Sequence, residues 1–145
     1  MFELNLPSFS PQLTQKNGKP FIFDVVRRKY VSLTPEEWVR QHFIHFLIAQ
    51  KYPKSLMQVE RMHQQNALQK RSDILVFDRQ MQPHLLVECK SPFLKINEGM
   101  LSQLLIYNQH FNAPLITLTN GLTHFYWEKG SEGYERVEEL PIFGL

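Results

Sequence analysis

The chain has 145 residues, 43% of them hydrophobic and 21% charged, which is the size and make-up of one globular domain and excludes a disordered segment. Its single cysteine, Cys89, excludes an internal disulfide framework and a cysteine-based zinc site. A formal net charge of +2 permits a nucleic-acid partner without demanding one, and the absence of a membrane-length apolar run or a signal-peptide pattern predicts a cytoplasmic protein with no membrane association.

Residues 1–20, with Pro7, Pro11, Pro20 and Gly18 among polar residues, read as an irregular arm. Phe2, Leu4, Leu6 and Phe9 alternate so that part of it can dock. Residues 21–145 form the domain proper. Two short β-like runs, Phe21–Val26 and Tyr30–Leu33, flank the basic triplet Arg27-Arg28-Lys29, which reads as a hairpin tip, either solvated or touching phosphate. Thr34-Pro-Glu-Glu37 is a helix start: Thr34 is the N-cap, Pro35 fits the first helical position and Glu37 completes a capping box. The helix runs to Ala49 with Val39, Phe43, Phe46 and Leu47 on its apolar face, and Lys51-Tyr-Pro53 ends it. His42 and His45 read as packing and surface histidines.

Ser55–His63 predicts a strand and Gln64–Lys70 a polar connection. Two runs of β-formers then flank Arg79-Gln-Met-Gln82, predicting a hairpin from Asp73 to Lys90. Closed symmetrically, it pairs Asp78 with Pro83, Val76 with Leu85, Ile74 with Val87 and Asp73 with Glu88. Opposed residues on antiparallel strands share a face, and Lys90, two residues past Glu88, shares it too. Cys89 points the other way, as a small buried hydrophobe. Ser91-Pro92 stops the strand. Asn97 is expected to cap a second helix from Glu98 to about Phe111, with Gln103 and Tyr107 on one face. Ile116–Gly121 and Thr123–Glu128 form a second hairpin around Asn120-Gly121, and the tail from 130 starts polar and ends apolar. The order predicts a single α/β domain with helices flanking a mixed central sheet.

Two carboxylates that close repel unless a cation stands between them. Lys90 supplies one positive charge. A divalent ion is the other candidate, and Asp and Glu oxygens suit Mg²⁺ or Mn²⁺. A metal and a lysine beside a water make a phosphodiester-cleaving site. The alternative is a structural ion pair at a strand end.

Thr34-Pro-Glu-Glu-Trp-Val-Arg-Gln41 on the first helix, Arg71-Ser-Asp73, Glu88-Cys-Lys90 and Gln103-Leu-Leu-Ile-Tyr107 occur in this order on these elements. Together they resemble the PD-(D/E)XK nuclease superfamily, and more narrowly the N-terminal nuclease domain of type I restriction enzyme R subunits. The resemblance covers roughly residues 20–128. It implies a restriction-endonuclease-like fold and a metal-dependent DNA endonuclease. It also implies metal ligation by Asp73, Glu88 and the Cys89 carbonyl, with Lys90 as catalytic lysine. Glu37, or Glu36, matches the helix-borne acid of such sites; each is also explained as a first-turn carboxylate. Gln103 and Tyr107 match a QxxxY motif that supports DNA binding, or form an ordinary polar stripe. Lys70, Arg71 and Lys95 are candidates for flanking phosphates. Serine replaces the superfamily's proline before Asp73, and there is no P-loop, so no ATP-driven translocation is expected. The expected partner is DNA, with a protein partner or homodimer left open. The rival reading is a non-catalytic nucleic-acid-binding or assembly module.

Overall fold

The computed structural model of the chain describes residues 3–65 and 68–144, with side chains outside 60–72. Strands β1 (Leu13–Lys16), β2 (Lys19–Asp24) and β3 (Lys29–Ser32) form a small antiparallel meander. Helix α1 (Pro35–Ala49) follows, then β4 (Met57–Gln65), β5 (Leu68–Phe77) and β6 (Pro83–Cys89). A 3₁₀ turn (Glu98–Met100) and helix α2 (Leu101–Asn108) lead to β7 (Leu115–Thr119), β8 (His124–Gly130) and β9 (Gly133–Val137). Strands β4 to β9 lie side by side in sequence order as one mixed sheet; β6 and β7 are parallel, joined through α2, and every other pair is antiparallel.

Strand alternation divides the core between the two helices. Ile74, Val76, Leu85, Val87 and Cys89 pack with Val39, Phe43, Ile44 and Leu47 of α1. Leu75 and Leu86, between them in sequence, face α2 with Tyr107 and Ala113, and Leu104 packs on Ile116, Leu118 and Trp127. A sheet buried on both faces explains why β7 is buried at all five positions.

Helix α1 starts at the expected N-cap, but the Glu37 carboxylate, expected to complete a capping box, is taken by Arg27, Arg40 and Gln41 instead. Thr34 is extended (φ −106°, ψ 166°) and its hydroxyl oxygen accepts the Glu37 N–H at 3.0 Å. Thr34→Ala removes this cap and is expected to cost about 1 kcal/mol, read as a lower urea midpoint with an unchanged m-value. The helix ends at Ala49 with Gln50 as its C-cap, and Lys51, whose φ is 73°, turns the chain out. The arm docks through Leu4, buried against the α1 side of the core, and through Phe9, stacked on His45 at 4.0 Å and packed edge-on against His42. Phe2 lies outside the described residues.

Several expectations need correction. The segment read as irregular contains β1, which pairs with β2; all four β1 residues are exposed, so no apolar face marks it. The polar connection after β4 is mostly strand: β4 runs to Gln65 and β5 begins at Leu68, while Asn66 and Ala67 lie outside the described residues. Asn97 makes no side-chain cap, and a 3₁₀ turn precedes α2. That helix stops at Asn108, before Phe111, because the Asn108 side chain bonds both the N–H and the carbonyl of Ala113 and reverses the chain. The polar tail adds β9 to the sheet edge.

Candidate active site

The hairpin that carries the carboxylates closes nearly as its sequence predicts. Ile74 pairs with Val87 and Val76 with Leu85, but a bulge after Val76 sets Phe77, not Asp78, against Pro83. Asp78 instead organises the loop, its Oδ1 accepting the N–H groups of Gln80 and Gln82. The bulge lies at the loop end of the ladder, so the other end keeps its register. One step outward from the Ile74–Val87 pair stand Asp73 and Glu88. The Cys89 N–H reaches across to Asp73 Oδ2 at 2.8 Å, and Lys90 Nζ lies 3.9 Å from Glu88 Oε2. The Lys90 N–H is tied to the Thr119 carbonyl on β7, which fixes the strand end.

Asp73 has a second partner from outside the hairpin. Arg40 Nη2, on α1, donates to Asp73 Oδ1 at 2.7 Å and to Glu36 Oε1 at 2.9 Å, while Arg40 Nη1 donates to Glu37 Oε1 at 2.6 Å. The Arg40 side chain is only 3% exposed. Glu37 is buried as well, and its Oε2 accepts from Gln41 and from Arg27. Arg27, one of the triplet read as a hairpin tip, is therefore held inward, and its Nε also pairs with the fully buried Asp24 at 2.6 Å. Burial works to raise the Asp24 pKa, but the Arg27 backbone N–H, the Arg27 side chain and Gln41 outweigh it and hold the carboxyl below its usual range. The sequence singled out neither Asp24 nor a buried role for Arg27, and Arg40 and Gln41 entered only as part of the first-helix motif. The only signal was Arg40 and Gln41 three and four residues past Glu37, on its side of the helix.

Burial pushes the Asp73 carboxyl up to about 6, with the nearby Glu88 carboxylate adding to the rise; Arg40 and the Cys89 N–H oppose it without cancelling it. A carboxyl whose folded pKa exceeds its unfolded value of about 3.9 binds protons preferentially in the folded state. Its contribution to stability is complete below about pH 4 and lost as pH rises through about 6. In metal-free buffer the stability of the wild type relative to Asp73→Asn is expected to fall by roughly 2–3 kcal/mol between pH 4 and pH 7. Urea titrations across that range measure it, and a pH-independent difference contradicts it.

Cys89 is buried with its thiol raised well above its usual pKa by burial, so it is an inert core group and offers the site only its backbone. Gln103 is exposed on α2, whereas Tyr107, one turn on, is buried against Leu75, Leu86 and Phe111. Lys95 is exposed; the side chains of Lys70 and Arg71 lie outside the described residues. Among the described residues no three His, Cys, Asp or Glu side chains converge as a metal cluster. Asp73 and Glu88 thus come as a pair, with Glu36 and Glu37 turned to Arg40. The pair still fits a hard divalent ion. Both groups are oxygen donors, and Glu88 is part-exposed. A cleft of about 490 Å³, lined by Arg27, Ser32, Glu36, Glu37, Arg40 and Ser91, opens between the meander, the start of α1 and the residue after Lys90.

Two helices on a mixed sheet, with Asp, Glu and Lys gathered at adjacent strand ends, define an α/β domain of the restriction-endonuclease-like class. The family described as type I restriction enzyme R protein N terminus matches residues 35–141, and the chain belongs to that family. No curated protein and no solved structure matches it. No helix among the described residues is long and apolar enough to cross a membrane.

Proposed function

We propose that the chain is a metal-dependent endonuclease that hydrolyses phosphodiester bonds of DNA. The observation that carries this reading is the meeting of Asp73, Glu88 and Lys90 at the ends of β5 and β6, in a chain of the type I restriction enzyme R protein N terminus family. The carboxylates of Asp73 and Glu88 and the carbonyl of Cys89 would hold Mg²⁺ or Mn²⁺. Such an ion, when bound, polarises a phosphoryl oxygen and acidifies a water. Lys90, whose side chain is 37% exposed, is free to lean from Glu88 toward the attacking water and to neutralise charge that develops on phosphorus oxygens. Arg40 fixes the Asp73 carboxylate, and Glu37 fixes Arg40, so Glu37 acts as a positioning residue. Gln103 steadies the DNA backbone from the exposed face of α2, and Tyr107 beneath it seats that helix on the sheet. Cutting both strands of a duplex needs two such centres, which a second copy or another protein would supply.

The rival reading is a non-catalytic nucleic-acid-binding or assembly module. It draws on Asp73 already being paired with Arg40, which makes the cluster self-sufficient without metal. Incubation of supercoiled plasmid and of single-stranded DNA with the protein and Mg²⁺ or Mn²⁺ decides between them. Cleavage that requires metal and disappears in folded Asp73→Ala sustains the nuclease. Intact substrates with every metal leave the module reading.

A further inference from the structure

The net positive charge of this chain lies on the meander. Residues 13–32 hold Lys16, Lys19, Arg27, Arg28 and Lys29 against one acid, Asp24, a surplus of four positive charges. The whole chain carries +2, so the remaining residues are net negative by two. Asp24 and Arg27 are taken up with each other and with α1. Lys16, Lys19, Arg28 and Lys29 are all exposed or half-exposed, and none forms an ion pair with a described residue.

Alternation sorts the meander into two faces. Ile22 and Asp24 are fully buried and define the inner one. The register sets Thr14 against Phe21, Lys16 against Lys19, Phe21 against Ser32 and Phe23 against Tyr30, all on the outer face. Two features there are unfavourable for a surface left to water. Lys16 and Lys19 stand directly opposed across the turn at Asn17-Gly18, and like charges so placed destabilise a hairpin. Tyr30 is 46% exposed, its ring edge-on to Phe23 at 5.3 Å. Thr14, Gln15, Lys16, Phe21 and Tyr30 line a groove of about 430 Å³. Ser32, the cross-strand partner of Phe21, lines the cleft that reaches Arg40 and Ser91, so the groove adjoins the candidate active site.

We propose that the outer face of the meander is a docking platform for a single-stranded polynucleotide, with a base stacked on Tyr30 and phosphates neutralised by Lys16 and Lys19. Lysines flanking exposed rings are the elements that unpaired strands need: every base has a face to stack, and phosphate relieves the opposed ammonium groups. A duplex, its bases already stacked, uses the charge but not the ring. The meander precedes residue 35, where the family match begins, so this platform is additional to the matched domain. The inference rests on the proposed function only in taking nucleic acid as the substrate.

Binding in EDTA separates it from catalysis. Fluorescence anisotropy with labelled dT and rU oligonucleotides, and with a duplex of equal length, is measured for the wild type, Tyr30→Ala, Tyr30→Phe and the double variant Lys16→Glu/Lys19→Glu. The wild type should prefer both single strands to the duplex. Tyr30→Ala should weaken single-strand binding about tenfold while Tyr30→Phe restores it. The lysine pair should cost about tenfold or more and flatten the salt dependence by about 1.4 in log–log slope, because two phosphates are no longer neutralised. All three positions are exposed, and unchanged thermal midpoints check the fold. Equal affinity of Tyr30→Ala and wild type, or a preference for duplex, overturns the platform, even where the wild type cuts DNA. Variant-sensitive binding by a protein that cuts nothing keeps the platform and removes the nuclease.

Discussion

Arg40→Ala is expected to destabilise the protein by roughly 3–5 kcal/mol, a large part of the stability of a domain this size. Arg40 is a buried cation whose guanidinium bridges three carboxylates, Glu36, Glu37 and Asp73. Removing it leaves buried Glu37 and part-buried Asp73 with one strong donor fewer each. Glu37 keeps Arg27 and Gln41, whereas Asp73 keeps the Cys89 N–H. Lysine should recover little, because one ammonium cannot span two edges of the triad as the planar guanidinium does. Equilibrium urea unfolding at pH 7 measures the loss. Replacing the surface Arg136, paired with the exposed Glu98, is the matched control and should cost under about 1 kcal/mol. A similar, small effect at both sites would mean that the Arg40 network does not hold α1 to the sheet.

Lys90→Ala is expected to lower metal-dependent cleavage by about 10²–10³-fold while leaving fold and metal binding in place. Its ammonium is 3.9 Å from Glu88, too long for a strong ion pair, and both side chains are about one-third exposed, so the pair adds little to stability. Its separation from the Asp73–Arg40 pair also matters. Arg40 is fixed by three carboxylates, so among the described residues Lys90 is the cation near the carboxylate pair with the freedom to meet a phosphate. Single-turnover cleavage with saturating Mg²⁺ reads the chemical step directly. An unaltered rate would remove Lys90 from the chemistry.

The hairpin from Asp73 to Cys89 was legible because two continuous runs of β-branched and aliphatic residues flank a polar loop, and counting outward from that loop places Asp73, Glu88 and Lys90. The start of α1 was legible because Thr34 and Pro35 each serve a local need. The turn after β7 was legible from Asn120-Gly121: Gly121 takes φ 86°, and a Cβ there would stand 2.9 Å from Leu4. What escaped was whatever depends on distant partners. Strand β1 is exposed throughout, and only Tyr134 and Val137 of β9 are partly covered, so neither has an apolar face to announce it. Arg40 looks like one more charge on a helix, since its partner Asp73 is 33 residues away. Glu37 was read from its spacing as a capping residue and from the family resemblance as a catalytic acid, and its burial among Arg27, Arg40 and Gln41 depends on the meander folding back on α1. Periodicity reports which face is apolar; it does not report which charges are buried together.

Asp73 and Glu88 are proposed to hold a divalent metal as well as to stand in a structural ion-pair cluster. Mn²⁺ titration of the wild type, Asp73→Asn and Glu88→Gln, followed by the electron paramagnetic resonance signal of free Mn²⁺, tests it without any substrate. The account predicts that the wild type takes up Mn²⁺ at a site that Mg²⁺ competes for and that each folded variant weakens by about tenfold or more. No Mn²⁺ uptake by the wild type, or uptake that neither substitution alters, would contradict it and leave the cluster as a fastening of α1 to the sheet.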